Sequence, residues 1–160
     1  MEIPVDSRYF AFGCSYTNYL WPTYADYLGT CYDKYYNLGA SGAGNRYIFN
    51  RLLSLVNNQD LLSHPLGEKD VITVQWSGIP REDKILPERN STQFAVSGHL
   101  GSQGTYPEEY VRTYFSLIQS AFELSAYITA VKNMLENLGV QYKMFFMMEI
   151  EESDFLGEAF

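Results

Sequence analysis

Short apolar runs alternate with helical segments along this sequence, and that alternation limits its fold more than any other feature. Four runs are predicted as strands, at residues 9–12, 34–38, 71–76 and 140–148. Each run is apolar on both faces, which is typical of strands buried between helical layers. Strands of this type separated by helices predict a parallel sheet covered on both faces.

Two helices are predicted between the first three strands. The first covers residues 21–28, with Pro22 in its first turn and Gly29 as its C-terminal cap. The second covers residues 45–56 and has apolar side chains at helical spacing along one face. The expected architecture is therefore a three-layer α/β/α sandwich with a flavodoxin-like parallel sheet.

A longer helical stretch precedes the fourth strand. It opens with a capping box in which Thr105 is the N-cap and Glu108 the third helical residue. The stretch exceeds thirty residues, so a break is expected near Ser120 or Ser125. One amphipathic stripe follows in steps of three and four, at Leu124, Ile128, Val131, Leu135 and Leu138.

The chain is long enough for one domain. Its 160 residues are 46% hydrophobic and 19% charged, as in an ordinary globular protein. Residues 80–105 are rich in Gly, Ser, Pro and charge and are predicted as a long loop inserted in that domain.

Charge and composition exclude several classes of function. Eleven Lys and Arg stand against nineteen Asp and Glu, a formal charge of −8, which argues against nucleic-acid binding. No segment reaches the ~18 apolar residues of a membrane span, and no signal peptide is visible. Two cysteines suit a reducing compartment, and no grouping has metal-ligand spacing. We expect a cytoplasmic protein without metal or cofactor; association with a virion is left open.

Three chemistry-bearing segments are expected at one edge of the sheet. Residues 13–17, 39–45 and 77–83 follow the first three predicted strands. Ligands of open parallel sheets bind outside the carboxyl ends of the strands, so these segments should face one crevice.

The glycine-rich segment at residues 39–45 has three readings when taken alone. Its free amides could cradle a phosphate, although its spacing matches neither a Rossmann fingerprint nor a P-loop. The same amides could stabilise an oxyanion. The glycines could also merely allow close packing of strand and helix.

Taken together, two of these segments resemble conserved blocks of the SGNH/GDSL hydrolases. Gly13, Cys14 and Ser15 resemble the Gly-Asp-Ser block, with Cys14 where Asp is usual. The run from Asn37 to Gly42 is similar to the second block, Asn-x-Gly-x-Ser-Gly. The chain is similar to divergent, phage-type members of this family over roughly residues 8–148.

The resemblance implies a serine hydrolase that acts on small or carbohydrate esters. Ser15 would be the nucleophile, and the backbone N–H groups of Ser15 and Gly42 would form the oxyanion hole. The third donor of the family, an Asn side chain after the third strand, is absent here; Ser77 or Gly78 stands in its place. Asn45 is a further candidate for that donor or for the edge of the site.

The general base of the family comes from an Asp-x-x-His block, and this sequence has none. His64 should lie at the amino edge of the sheet, away from Ser15. His99 lies in the segment that begins at the carboxyl edge of the sheet, so it is a candidate base, although an unfavoured one. We therefore expect a domain incomplete at its C-terminus, with slow ester hydrolysis or none.

Two other functions stay open: a catalytically inactive binding or structural module of the same fold, and a flavodoxin-like phosphate or nucleotide binder. Cys14 is interpreted as a small residue at a strand end rather than a second nucleophile. The charges of Arg81, Glu82 and Asp83 either touch substrate or form a solvated cluster. An exposed apolar run at residues 144–147 would favour self-association.

Overall fold

The computed structural model describes residues 6–84, 95–99 and 106–147. Six strands and four α-helices are found there, with a short 3-10 helix at Gln59–Leu61. The strands are β1 (Arg8–Phe12), β2 (Lys34–Asn37), β3 (Asp70–Trp76), β4 (Arg81–Lys84), β5 (Ala95–His99) and β6 (Gln141–Phe146). The helices are α1 (Tyr24–Gly29), α2 (Asn45–Asn57), α3 (Glu108–Tyr114) and α4 (Leu117–Leu138).

Four of the strands form a parallel sheet in the order β2-β1-β3-β6. β1 pairs with β2 and β3, and β3 pairs with β6, always in parallel. This order places the first and third strands at the centre and confirms the predicted flavodoxin-like arrangement. The predicted strands are found with ends shifted by at most two residues.

Helices cover both faces of the sheet. On one face α2 and α4 pack onto the buried side chains of β1 and β3, contributing Ile48, Leu52, Leu124, Val131 and Leu135. On the other face Ala25 of α1 packs against Tyr9 and Ala11 of β1. The α/β/α layering and the amphipathic stripe of α4 are therefore confirmed.

The ends of α1 differ from the prediction. The helix begins at Tyr24 after the N-cap Thr23, because the Asp26 carboxylate accepts a 2.7 Å hydrogen bond from Thr23 N. Pro22 consequently precedes the helix. Gly29 is its last residue and Thr30 is the C-cap. A Cβ at Gly29 would lie 2.5 Å from the Tyr35 ring, so glycine allows close packing of helix and strand here rather than ending the helix.

The long helical stretch also begins and breaks elsewhere than predicted. Pro107 is the N-cap of α3, and Thr105 lies outside the described residues. The break falls at Phe115 and Ser116, before the predicted positions, because the Ser116 hydroxyl accepts a hydrogen bond from Gln119 N and begins α4.

The predicted loop at residues 80–105 contains a hairpin. β4 and β5 pair antiparallel, with Arg81 opposite His99 and Lys84 opposite Ala95. The prediction of a continuous loop is therefore wrong for these two strands, whereas residues 85–94 and 100–105 lie outside the described part of the chain. None of the described helices has the length and hydropathy of a membrane-spanning segment.

Candidate functional site

The segments after β1 and β2 are held together by hydrogen bonds at the carboxyl edge of the sheet. Ala40 N donates to Gly13 O at 3.0 Å, which continues the strand pairing beyond the sheet. The Asn37 side chain donates to Thr17 O at 2.8 Å. Asn18 donates in the other direction, to Gly39 O at 2.9 Å. These bonds fix the two segments side by side, as the topology predicted.

The segment after β3 is held against the glycine-rich segment in turn. The Asn45 amide makes two bonds to the backbone of Ser77, donating to its O at 3.1 Å and accepting from its N at 2.8 Å. The Arg81 guanidinium donates to Ala43 O at 3.1 Å. All three predicted segments therefore meet at one edge.

Asp83 completes this attachment from a buried position. Its carboxylate accepts hydrogen bonds from Gly44 N and Tyr47 N, both at 2.8 Å, and so caps the N-terminus of α2. A Cβ at Gly44 would lie 2.6 Å from the carboxylate, so glycine is needed for this approach. Burial raises the pKa of Asp83, although the two backbone bonds and nearby Arg46 and Arg81 oppose that shift.

The position of Asp83 corrects two expectations. Its side chain is 1% exposed, so it belongs to no solvated cluster and cannot reach a ligand in solvent. Its carboxylate also occupies two of the N–H groups at the N-terminus of α2, those of Gly44 and Tyr47.

Ser15 and Gly42 occupy equivalent places in their segments. Each lies two residues beyond the Gly13–Ala40 hydrogen bond, and both are half-buried. Within the described part of the chain, neither Ser15 N nor Gly42 N donates a hydrogen bond. Gly42 has φ +79°, a left-handed conformation that a side chain would strain. The two backbone N–H groups that the resemblance assigned to an oxyanion hole are thus available to a ligand.

Two of the three candidates for a third donor, Asn45 and Ser77, are engaged in other contacts. Both polar atoms of the Asn45 amide bond to Ser77, as described above. Ser77 is 1% exposed, and its hydroxyl contacts Met147 Sδ at 3.8 Å. At Gly78 an added Cβ would make only ordinary contacts, so nothing requires glycine there.

An open groove of about 500 Å³ lies beside Ser15. It is lined by Ser15, Tyr16, Tyr19, Trp21, Thr23, Tyr24 and Gln75. Tyr19 and Trp21 meet edge to face at 4.2 Å, and Trp21 is 64% exposed. Burial raises the pKa of Tyr24, whose hydroxyl bonds to Thr17 Oγ1 at 3.2 Å. The groove has uncharged walls, which suits a neutral ligand.

The two histidines lie in different parts of the fold. His64 O accepts a hydrogen bond from Arg8 at the start of β1, so His64 lies at the amino edge, as predicted. Its Nδ1 contacts Ser63 Oγ at 3.2 Å. The backbone of His99 pairs with Arg81, which reaches the glycine-rich segment at Ala43. The side chain of His99 lies outside the described part of the structure.

Cys14 is fully buried, with Sγ 3.8 Å from Gln75 Oε1 and 3.5 Å from Met147 Sδ. This packed position agrees with the interpretation of Cys14 as a strand-end residue. Among the described residues, no group of three or more His, Cys, Asp or Glu side chains is placed to hold a metal ion.

Sequence reasoning missed Gln75 and the capping role of Asp83. Gln75 was readable as the one amide in an otherwise apolar and β-branched strand, residues 71–76. The capping role of Asp83 had no signal, because its partners lie 36 and 39 residues away along the chain.

Comparisons with protein-family models, with curated proteins and with solved structures found no match to this chain.

Proposed function

We propose that the carboxyl edge is the nucleophile and oxyanion half of an SGNH-like ester hydrolase site. Ser15 is the nucleophile, and the N–H groups of Ser15 and Gly42 bind the developing oxyanion. The single observation that carries this proposal is the pair of unpartnered N–H groups at equivalent places beyond the Gly13–Ala40 bond. Donors already fixed in place are the main source of transition-state stabilisation in acyl transfer.

The chemistry assigns each atom a destination. Ser15 Oγ bonds to the ester carbonyl carbon, the carbonyl π electrons move to its oxygen, and the hydroxyl proton passes to an imidazole base. When that intermediate collapses, the imidazolium returns the proton to the leaving oxygen, the alcohol departs and an acyl-enzyme remains, which water hydrolyses to the acid and free Ser15. His99 is the candidate base within this sequence, since His64 lies at the opposite edge.

A catalytically inactive binding module is the second candidate. The absence of an Asp-x-x-His block favours it, because a serine without a fixed base is a weak nucleophile. The uncharged groove would then bind a neutral ligand without turnover. A phosphate or nucleotide binder is disfavoured because Asp83 already caps α2.

Covalent labelling by a fluorophosphonate separates these functions. Ser15 Oγ bonds to phosphorus, fluoride leaves, and the adduct is located by mass spectrometry. Trypsin releases residues 9–34 as one peptide in which Ser15 is the only serine. We expect this peptide to be labelled in the parent and unlabelled in Ser15→Ala. Labelling of other peptides alone would contradict the hydrolase proposal and favour the binding module.

A matched control is the second serine near a histidine. Ser63 lies beside His64 at the amino edge, so Ser63→Ala should leave labelling of residues 9–34 unchanged. His99→Ala then tests the base. A fall comparable to that of Ser15→Ala would assign the proton to His99, and an unchanged rate would exclude His99 as the base. Turnover of p-nitrophenyl acetate is expected to be slow and to require Ser15.

A further inference from the structure

Gln75 is a buried amide held by one end only. Its side chain is 4% exposed, near the carboxyl end of β3. Oε1 accepts a 2.8 Å hydrogen bond from Thr17 Oγ1 and a 3.8 Å contact from Cys14 Sγ. Thr17 Oγ1 in turn contacts the Tyr24 hydroxyl at 3.2 Å. This network fixes the oxygen side of the amide.

The nitrogen side of the same amide has no partner. Within the described residues, Gln75 Nε2 makes no hydrogen bond. Nε2 is not among the fully buried side-chain nitrogens that lack a partner, so it keeps access to the space beside it. Gln75 lines the groove that Ser15 also lines. A ligand in that groove can therefore accept a hydrogen bond from Nε2.

We propose that Gln75 Nε2 is the third oxyanion donor, acting on the same oxygen as Ser15 N and Gly42 N. This inference rests on the proposed hydrolase function. Ser77 and Gly78, at the place of the family's Asn, supply no free side-chain amide, and the Asn45 amide is bonded to Ser77. Gln75 would supply that amide from two residues earlier, within β3 itself.

The contacts that hold Gln75 Oε1 explain how a flexible side chain can act as an oriented donor. A donor stabilises an oxyanion only if it is oriented before charge develops. With Oε1 held by Thr17, the Gln75 amide plane is fixed and Nε2 is directed away from Thr17. Thr17 is therefore a positioning residue, and its own exposure is 0%.

The test measures the rate at which a fluorophosphonate labels Ser15 in the full chain. Gln75→Glu keeps the acceptor for Thr17 and removes the donor, and Gln75→Met removes the donor without adding charge. Both should lower the labelling rate by about 10²–10³-fold, the usual effect of losing one such donor. Gln141→Glu makes the same substitution at the first residue of β6, at the amino edge, and should leave the rate unchanged.

Each outcome decides one point. Rates within threefold of the parent in both Gln75 variants, with unchanged melting temperatures, would overturn the role of Gln75 while leaving the hydrolase proposal standing. A loss in Gln75→Glu alone would assign the effect to the added charge and would also overturn it. An unlabelled parent would overturn the hydrolase proposal, and the role of Gln75 with it. Should Gln75→Met fail to fold, Thr17→Val replaces it, and a slower rate without unfolding supports the proposal.

Discussion

The two edges of the same sheet are built in opposite ways. At the amino edge, Arg8 is 1% exposed and makes four hydrogen bonds, two of them to Asp70 at 2.7 Å and two to the carbonyl groups of His64 and Pro65. Asp70 also accepts a bond from Gly67 N at 2.9 Å. Nearly all of the polar capacity of this buried pair is used within the protein.

The carboxyl edge leaves donors unused. Among the described residues, the two buried side-chain nitrogens without a partner are Trp76 Nε1 and Arg81 Nε, both at this edge. The backbone N–H groups of Ser15 and Gly42 and the side-chain Nε2 of Gln75, which also lack a partner among the described residues, lie there as well. Unsatisfied polar groups are rare in folded proteins and concentrate where a ligand is bound. The amino edge therefore uses its polar groups to stabilise the fold, whereas the carboxyl edge keeps N–H donors that have no partner among the described residues.

The largest expected effect on the free energy of unfolding comes from removing the buried ion pair at the amino edge. Arg8→Met leaves the Asp70 carboxylate buried without its partner, and we expect unfolding to become easier by about 3–5 kcal/mol in urea titrations. Arg112→Met is the matched control, because its pair with Glu108 is exposed and worth at most about 0.5 kcal/mol. The double variant Arg8→Met/Asp70→Leu should recover most of the loss. A cost below 1 kcal/mol for Arg8→Met would contradict the comparison.

A smaller effect is expected from Asp83, which links β4 to the N-terminus of α2 at the carboxyl edge. In Asp83→Asn the amide nitrogen faces a backbone N–H of α2, so one bond is lost at a cost of roughly 1–3 kcal/mol.

The pH dependence of that cost has a defined sign. Because burial raises the pKa of Asp83 above its unfolded value, its contribution to stability is complete below the unfolded pKa and is lost as pH rises through the folded pKa. The free-energy difference between the parent and Asp83→Asn should therefore shrink from acidic to neutral pH. A difference that grows over that range would show that the carboxylate is favoured in the folded protein.

The smallest expected effect on stability comes from replacing either of two glycines with positive φ, one at the site and one elsewhere. Gly42 and Gly139 both have positive φ, at +79° and +68°. Alanine at either position should cost about 1–2 kcal/mol in the free energy of unfolding. Gly42→Ala alone should also slow labelling of Ser15, by up to about 10²-fold, because the donor N–H is displaced. Equal labelling rates in the two variants would argue against Gly42 N as a donor.

The sequence predicted the layers of this fold and the meeting of three segments at one edge. Both follow from patterns that are local in the chain: apolar runs, helical spacing and the rule that parallel strands end together. The position of His64 at the amino edge follows from the same rule.

Features that depend on distant partners were not predictable. Asp83 looks like a surface charge until α2 is placed beside it, and Gln75 looks like a substitution in a strand until Thr17 is seen to bind one end of its amide. The hairpin of β4 and β5 escaped for a related reason, since a stretch rich in Gly, Ser and charge carries no strong strand signal. The alternation of strand and helix can be predicted from neighbouring residues, whereas the polar contacts of the site join residues that are distant in the sequence.

We expect the N–H groups of Ser15 and Gly42 to converge on one oxygen, and a crystal structure of the Ser15–phosphonate adduct would show whether they do. The phosphonyl oxygen is expected at about 2.7–3.1 Å from both backbone nitrogens. A phosphonyl oxygen turned to solvent, or bound to Ser15 N with Gly42 N directed elsewhere, would contradict it.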